Sequence, residues 1–232
     1  MRQIVLDTET TGLEVGKGHR IIEIVCIELT ERRPSGRRFH RYLNPQRAVD
    51  EGARAVHGIS DEFLADKPRF AEVAAEFLAF IDGAELVIHN AAFDVSFLDA
   101  ELALTDPGLG RVVDHANVLD TLALAREKYP GQRISLDALC KRLNIDNRHR
   151  ELHGALLDAQ LLADVYLAMT GGQGDLGLAN APTAAAPALA AARSVVRQPL
   201  RVRRADSAEA FSHEKRLHAI DTASKGRCLW RV

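Results

Sequence analysis

Ile4-Val5-Leu6-Asp7-Thr8-Glu9-Thr10-Thr11-Gly12 joins a short apolar run to two carboxylates close to the N-terminus. The apolar run predicts a buried strand over 4–7, with Gly12 as the turn residue that follows. In an extended chain residues i and i+2 face the same side, so Asp7 and Glu9 are expected to project together from the strand end. Two carboxylates held side by side repel unless a cation or a proton lies between them. Hard oxygen donors of this kind suit Mg²⁺ or Mn²⁺. A plain strand end with a polar turn fits the same residues, and this stretch alone leaves both readings open.

Outward from it, 20–29 alternates as a second strand, and 39–43 reads as a third after turn signals at Pro34, Ser35 and Gly36. Three strands in succession predict an antiparallel meander. A loop with a short helix follows over 44–58. Phe70, Val73, Ala74, Phe77, Leu78 and Ile81 form a helical stripe over 70–81. Residues 85–90 read as a buried strand, 91–104 as a helix, and 118–122 as a short strand entering a helix to 129. Ser135 is the expected N-cap of a helix with Leu136, Leu139, Cys140 and Leu143 on one face. The last strong helix covers 154–169 and stops at Gly171. Strands first, then strands alternating with helices, predict an α/β domain with a mixed sheet.

The chain has 232 residues, 47% of them hydrophobic, and a net charge of -2. That suffices for one substantial core and excludes a strongly basic nucleic-acid coat. Cys26, Cys140 and Cys228 are far apart, with no CxxC pair, so neither a zinc site nor a disulfide framework is indicated. Reduced thiols, no signal-peptide segment and no membrane-length apolar run predict a cytoplasmic protein without a membrane partner. Three parts are expected: 1–170, a catalytic domain; 171–195, an Ala/Pro-rich linker; and 196–232, a basic, flexible tail that ends in an apolar Leu229-Trp230 pair.

Two further segments hold candidate chemistry. In His89-Asn90-Ala91-Ala92-Phe93-Asp94, Asn90 is the expected N-cap and Asp94 falls in the first helical turn. There it is either an acid favoured by the helix dipole or a ligand. In His153-Gly154-Ala155-Leu156-Leu157-Asp158, Asp158 lies in line with the apolar residues Leu161, Leu162, Val165, Tyr166 and Met169. A carboxylate on a buried stripe needs a partner or a metal. The small Gly154 and Ala155 permit close approach of another element. His153 precedes Asp158 by five residues, or ~140° around a helix, so both reach one centre only if His153 sits on the preceding loop. That position suits a mobile base; a surface histidine near a helix start is the alternative.

DTETTG (7–12), HNAAFD (89–94) and HGALLD (153–158) resemble, in order, the three motifs of the DEDD exonucleases with a catalytic histidine. VDEGARAVHGIS, SLDALCKRLNID, ALLDAQLLADVYLAMTGGQ and the Cys228-Leu229-Trp230-Arg231 end are similar to the proofreading subunits of bacterial replicative polymerases. The resemblance implies a ribonuclease H-like fold with a mixed five-stranded sheet. It also implies two divalent cations, Mg²⁺ or Mn²⁺, held by Asp7, Glu9, Asp158 and Asp94, and His153 as the base for a water. The substrate implied is a single-stranded 3′ DNA end, cut to nucleoside 5′-monophosphates. His57 and the loop around Gly52 would contact the terminal nucleotide beside Asp7, Glu9 and Asp158. The family often has an acidic side chain where Gly52 stands, and Gly52 offers only backbone. The implied partners are the polymerase catalytic (alpha) subunit, bound through Leu229 and Trp230 of the tail, and the sliding clamp. A small accessory subunit stays open.

Gln173, Leu176 and Leu178 resemble the clamp-binding motif, a glutamine with two apolar side chains that face one way in an extended peptide. A Gly-rich linker start explains the same stretch. Two rival functions also remain at this point: a stand-alone exonuclease trimming RNA or DNA, and a catalytically silent bridge between polymerase and clamp.

Overall fold

The computed structural model describes residues 2–148, 154–171, 205–225 and 230. The chain divides into two units, 1–179 and 180–232. In the first unit the elements run β1 (Arg2–Thr10), β2 (Ile21–Thr30), β3 (Arg33–Tyr42), α1 (Glu51–His57), α2 (Asp61–Leu64), α3 (Phe70–Ile81), β4 (Glu85–Ile88), α4 (Ala91–Thr105), α5 (Val112–His115), β5 (Asn117–Asp120), α6 (Thr121–Lys128), α7 (Leu136–Leu143) and α8 (Ala155–Thr170). The second unit contains α9 (Ser207–Ala223).

The five strands form one mixed sheet in the order β3-β2-β1-β4-β5. β1, β2 and β3 are antiparallel neighbours, whereas β4 and β5 run parallel to β1. The period-two alternation of each strand assigns its side chains to two cores. Ile4, Leu6, Ile24, Cys26, Leu86 and Ile88 pack on one face with Phe70, Phe77, Phe97 and Leu98 of α3 and α4. Val5, Val25, Leu29 and Val87 pack on the other with Leu139, Ala155, Leu162 and Val165 of α7 and α8.

The helix predicted over 70–81 has those bounds, and all six stripe residues are buried. Ser135 caps α7 by accepting from the Ala138 N–H. The second hairpin departs from expectation. Its turn is Glu31-Arg32, both left-handed at φ 49° and 62°, and not Pro34-Ser35-Gly36. Two consecutive left-handed residues give the type I′ turn that matches strand twist. Pro34 instead pairs with Leu29 inside β3, next to a register shift. β3 is an edge strand, where a proline's missing N–H is tolerated.

Phe77 is fully buried, its ring 5.8 Å from Phe39 and 6.1 Å from Phe70. Phe77→Ala is expected to lower the unfolding free energy by about 3–5 kcal/mol, read from chemical denaturation. A loss within error would mean that this aromatic cluster does not hold α3 to the sheet.

Candidate active site

β1 continues to Thr10, so Asp7 and Glu9 lie within the strand rather than beyond its end. Its pairing with β4 covers only Gln3–Val5, while its pairing with β2 runs the whole length. The second half of β1 therefore borders an opening where a parallel neighbour would otherwise lie. Asp7 and Glu9 share the parity of Val5 and face α8. Asp158, in the first turn of α8, is 5% exposed and meets them there. One carboxylate oxygen from each of the three lies within 4.8 Å of the other two. Three converging hard donors suit a divalent cation of the Mg²⁺ or Mn²⁺ type.

Asp94 is not in that triad. Thr8 has the opposite parity, faces α4, and donates to Asp94 Oδ1 at 2.6 Å. Asp94 thus reaches the opening from the other side of the sheet and lines a cleft of about 200 Å³ with Asp7, Glu9, His89, Asn90 and Asp158. Burial pushes its carboxyl up to about 7, opposed by hydrogen bonds from Thr8 and backbone and aided by the Asp120 charge. Asn90 stands at the N-cap position of α4 as predicted, but its side chain caps nothing. It is left-handed at φ 67°, and its N–H donates to Asp120 Oδ1 at 3.1 Å.

A second cleft of about 470 Å³ adjoins the first, sharing Thr8, Glu9 and Phe93 and adding Leu13, His19, Gly52, Val56 and His57. His57 Nδ1 accepts from the Ile59 N–H at 3.0 Å, so the neutral ring carries its proton on Nε2. That Nε2 has no hydrogen-bond partner among the described residues. Burial holds the His57 pKa below its ordinary value; the Thr10 backbone opposes this and Arg54 reinforces it. Gly52 has open space where a Cβ would stand. Gly12 is required for close approach and not for a turn: a Cβ there would lie 2.3 Å from the His19 ring. The expected close approach at the start of α8 falls on fully buried Ala155, while Gly154 has room for a side chain.

His153 lies outside the described residues, as do Gln173, Leu176, Leu178, Leu229 and the 172–204 stretch. Trp230 is 78% exposed. Thr8, His19 and Leu13 line the clefts, and Asp120 stands behind Asn90 and Asp94; none of the four is singled out by the sequence. The alternation of Asp-Thr-Glu holds a signal for Thr8, because the central residue must face the opposite helix layer.

Sheet order, helices on both faces and a carboxylate cleft beside the central strand define a ribonuclease H-like exonuclease domain. The exonuclease family (RNase_T) matches residues 4–166. The chain is 53% identical to DNA polymerase III subunit epsilon of Escherichia coli K12, across 100% of this chain and 98% of that one. It is 51% identical to the same subunit of Pasteurella multocida, covering 99% and 93%. A solved exonuclease X in complex with 5′ overhanging duplex DNA superposes with TM-score 0.59 at 25% identity, covering 75% of this chain and 93% of that one. Escherichia coli exonuclease I in complex with a dA16 oligonucleotide shares the fold, with TM-score 0.63 at 18% identity over 73% of this chain and 41% of that one. The chain belongs to the exonuclease family and, within it, to the epsilon subunits of DNA polymerase III. It is an enzyme, a 3′–5′ proofreading exonuclease of a polymerase complex.

The raised carboxyl of Asp94 has a signed consequence for the metal-free protein. Its folded pKa, about 7, lies above the unfolded one. Its contribution to stability is therefore complete below the unfolded pKa of about 3.9 and is lost as pH rises through the folded value. With a chelator present, Asp94→Asn should melt progressively higher than the parent as pH is raised from about 4 to about 8. Differential scanning at several pH values measures this, and a pH-independent gap would contradict the buried-acid assignment.

Proposed function

We propose that the cleft beside β1 hydrolyses the last phosphodiester of a single-stranded 3′ DNA end, with two divalent cations held by Asp7, Glu9, Asp158 and Asp94. The observation that carries this reading is the convergence of three carboxylates within 4.8 Å, with Asp94 on the same cleft. When bound, Mg²⁺ or Mn²⁺ ions supply Lewis acidity to the attacking water and to the departing 3′ oxygen. Asp7 and Glu9, fixed on one strand, and Asp158, fixed on α8, preorganise the donor set. Asp94 must shed its proton before it can serve as a ligand. His153, directly before the Gly154 cap of α8, accepts the proton of the attacking water; its unperturbed pKa near 6.5 suits that work. His57 offers its Nε2–H to the terminal nucleotide in the adjoining cleft, and Gly52 borders the same cleft with backbone alone. The product is a nucleoside 5′-monophosphate.

The chain divides in this reading into a catalytic domain over 1–170, a linker with the clamp motif over 171–195 and a polymerase-binding tail over 196–232. Leu229 and Trp230 anchor the tail on the polymerase alpha subunit, and the exposure of Trp230 leaves its ring free to be covered. Gln173, Leu176 and Leu178 bind the sliding clamp weakly. Weak contact suffices, because polymerase and clamp already share one DNA. The enzyme works in the cytoplasm; no helix among the described residues is long and apolar enough to cross a membrane.

His153→Ala should lower turnover on single-stranded DNA by about 10²–10⁴-fold with folding retained, and Asp7→Ala should abolish metal-dependent activity. Near-parental rates in either variant would refute the site. Deleting 197–232 should spare cleavage of free DNA and end co-purification with the polymerase subunit. Replacing Gln173, Leu176 and Leu178 by Ala should leave both intact and weaken only the three-way complex with the clamp, as gel filtration would register. Unchanged complex formation would reduce 173–178 to linker.

A further inference from the structure

Glu23 is a buried carboxylate that belongs to neither cleft. It stands on β2 directly opposite Glu9 of β1 and is 2% exposed. Directly opposed residues of an antiparallel pair share a face, so Glu23 points to the α8 side with Val25 and Leu29. Its two oxygens have separate partners. Oε1 lies 2.8 Å from His40 Nε2 on β3. Oε2 accepts from the Ala155 N–H at 3.3 Å. Tyr42, the cross-strand partner of Glu23, lies against the same carboxylate; burial, then the Glu23 charge, pushes its hydroxyl up to about 12.

Ala155 is the first residue of α8, and the N–H groups of a first turn have no acceptor within their helix. The cap residue, Gly154, has no side chain to supply one. A side chain from a different strand supplies it instead, across 132 residues of sequence. A carboxylate there is also favoured by the helix dipole. The same turn presents Asp158.

The geometry points to Glu23, held in place by His40, as a positioning residue. By tying the first turn of α8 to β2, opposite Glu9, it sets the distance of the Asp158 carboxylate from Asp7 and Glu9. The inference rests on Asp158 acting as a metal ligand. His40 matters because it orients the carboxylate: without it, Oε1 is left buried with one partner fewer. Outer-shell partners of metal ligands typically change metal affinity by about 10–100-fold when removed.

The test uses the full chain and Mn²⁺ alone as probe. Mn²⁺ binding is titrated by electron paramagnetic resonance, kcat and KM are measured on single-stranded DNA, and folding is followed by circular dichroism at the assay temperature. Glu23→Ala is expected to weaken Mn²⁺ binding by about tenfold or more and to lower kcat with KM little changed. Glu23→Gln, which keeps one acceptor oxygen for Ala155, should recover most of the affinity, and His40→Ala should fall between them. If Glu23→Ala does not fold, Glu23→Gln and His40→Ala decide on the same readouts. A folded variant with lower melting temperature but parental Mn²⁺ affinity and kcat would overturn the inference, because a structural brace would behave that way. Asp158→Ala separates the two readings. Retained Mn²⁺ affinity in that variant would refute the metal site itself. Affinity lost there but unchanged on altering Glu23 and His40 would refute only the positioning role.

Discussion

β1 is paired along its whole length on the β2 side but only over Gln3–Val5 on the β4 side, and the site depends on that inequality. A strand paired on both edges would put Asp7 and Glu9 between neighbours, with no space for a ligand. Because β4 ends at Ile88, the chain turns away into α4 and leaves an opening beside β1. Ligands in open α/β sheets bind where strand order reverses, because flanking helices diverge there. Here β1 occupies that point, with β2 and β3 on one side and β4 and β5 on the other.

The two-residue period of β1 then distributes the chemistry. Asp7 and Glu9 face α8 and meet Asp158, whereas Thr8 faces α4 and holds Asp94. One strand thus links both helix layers within three residues. Like-charged groups this close destabilise the fold when nothing lies between them. The apolar layers on both faces of β1 offset that cost, since Ile4, Val5 and Leu6 are fully buried directly before the acids. Asp94, the most enclosed acid of the cleft, keeps its proton to about 7 in the absence of metal, which spares the cleft a fourth negative charge.

Local pattern made much of this legible. The stripe over 70–81, the Ser135 cap and the parity of Asp7 and Glu9 are short-range signals, and the structure repeats them. The line of Asp158 with Leu161, Leu162 and Val165 indicated a buried carboxylate, and it is buried. What failed depended on partners distant in sequence. Pro34 and Gly36 look like a turn until β3 is known to be an edge strand. Asn90 does hold the cap position, but it is left-handed and its side chain makes no cap bond, while its N–H turns to Asp120, thirty residues on. Gly12 looks like a turn glycine until His19 packs on it. Helix α9 stands where a flexible tail is expected from the arginine-rich stretch before it; its capping box, Asp206 with Glu209, is the local signal for a helix start.

The shape and charge of the site bear on how an exonuclease can live beside a polymerase. A chain of net charge -2 gains little overall from phosphate attraction. The cleft beside the carboxylates is bordered by Leu13 and Val56, which are 80% and 45% exposed, and by His57. On the proposed reading of this cleft as the nucleotide site, such a wall suits an unstacked base and offers a paired one nothing in return for leaving its duplex. Unpairing costs a few kcal/mol for a matched terminus and less for a mismatched one, so the penalty falls on the correct end. Selectivity of this kind requires that binding stay weak, since a strongly basic groove would draw matched ends in as well. The affinity withheld from the cleft has to come from attachment elsewhere, by raising the local concentration of 3′ ends rather than their intrinsic binding.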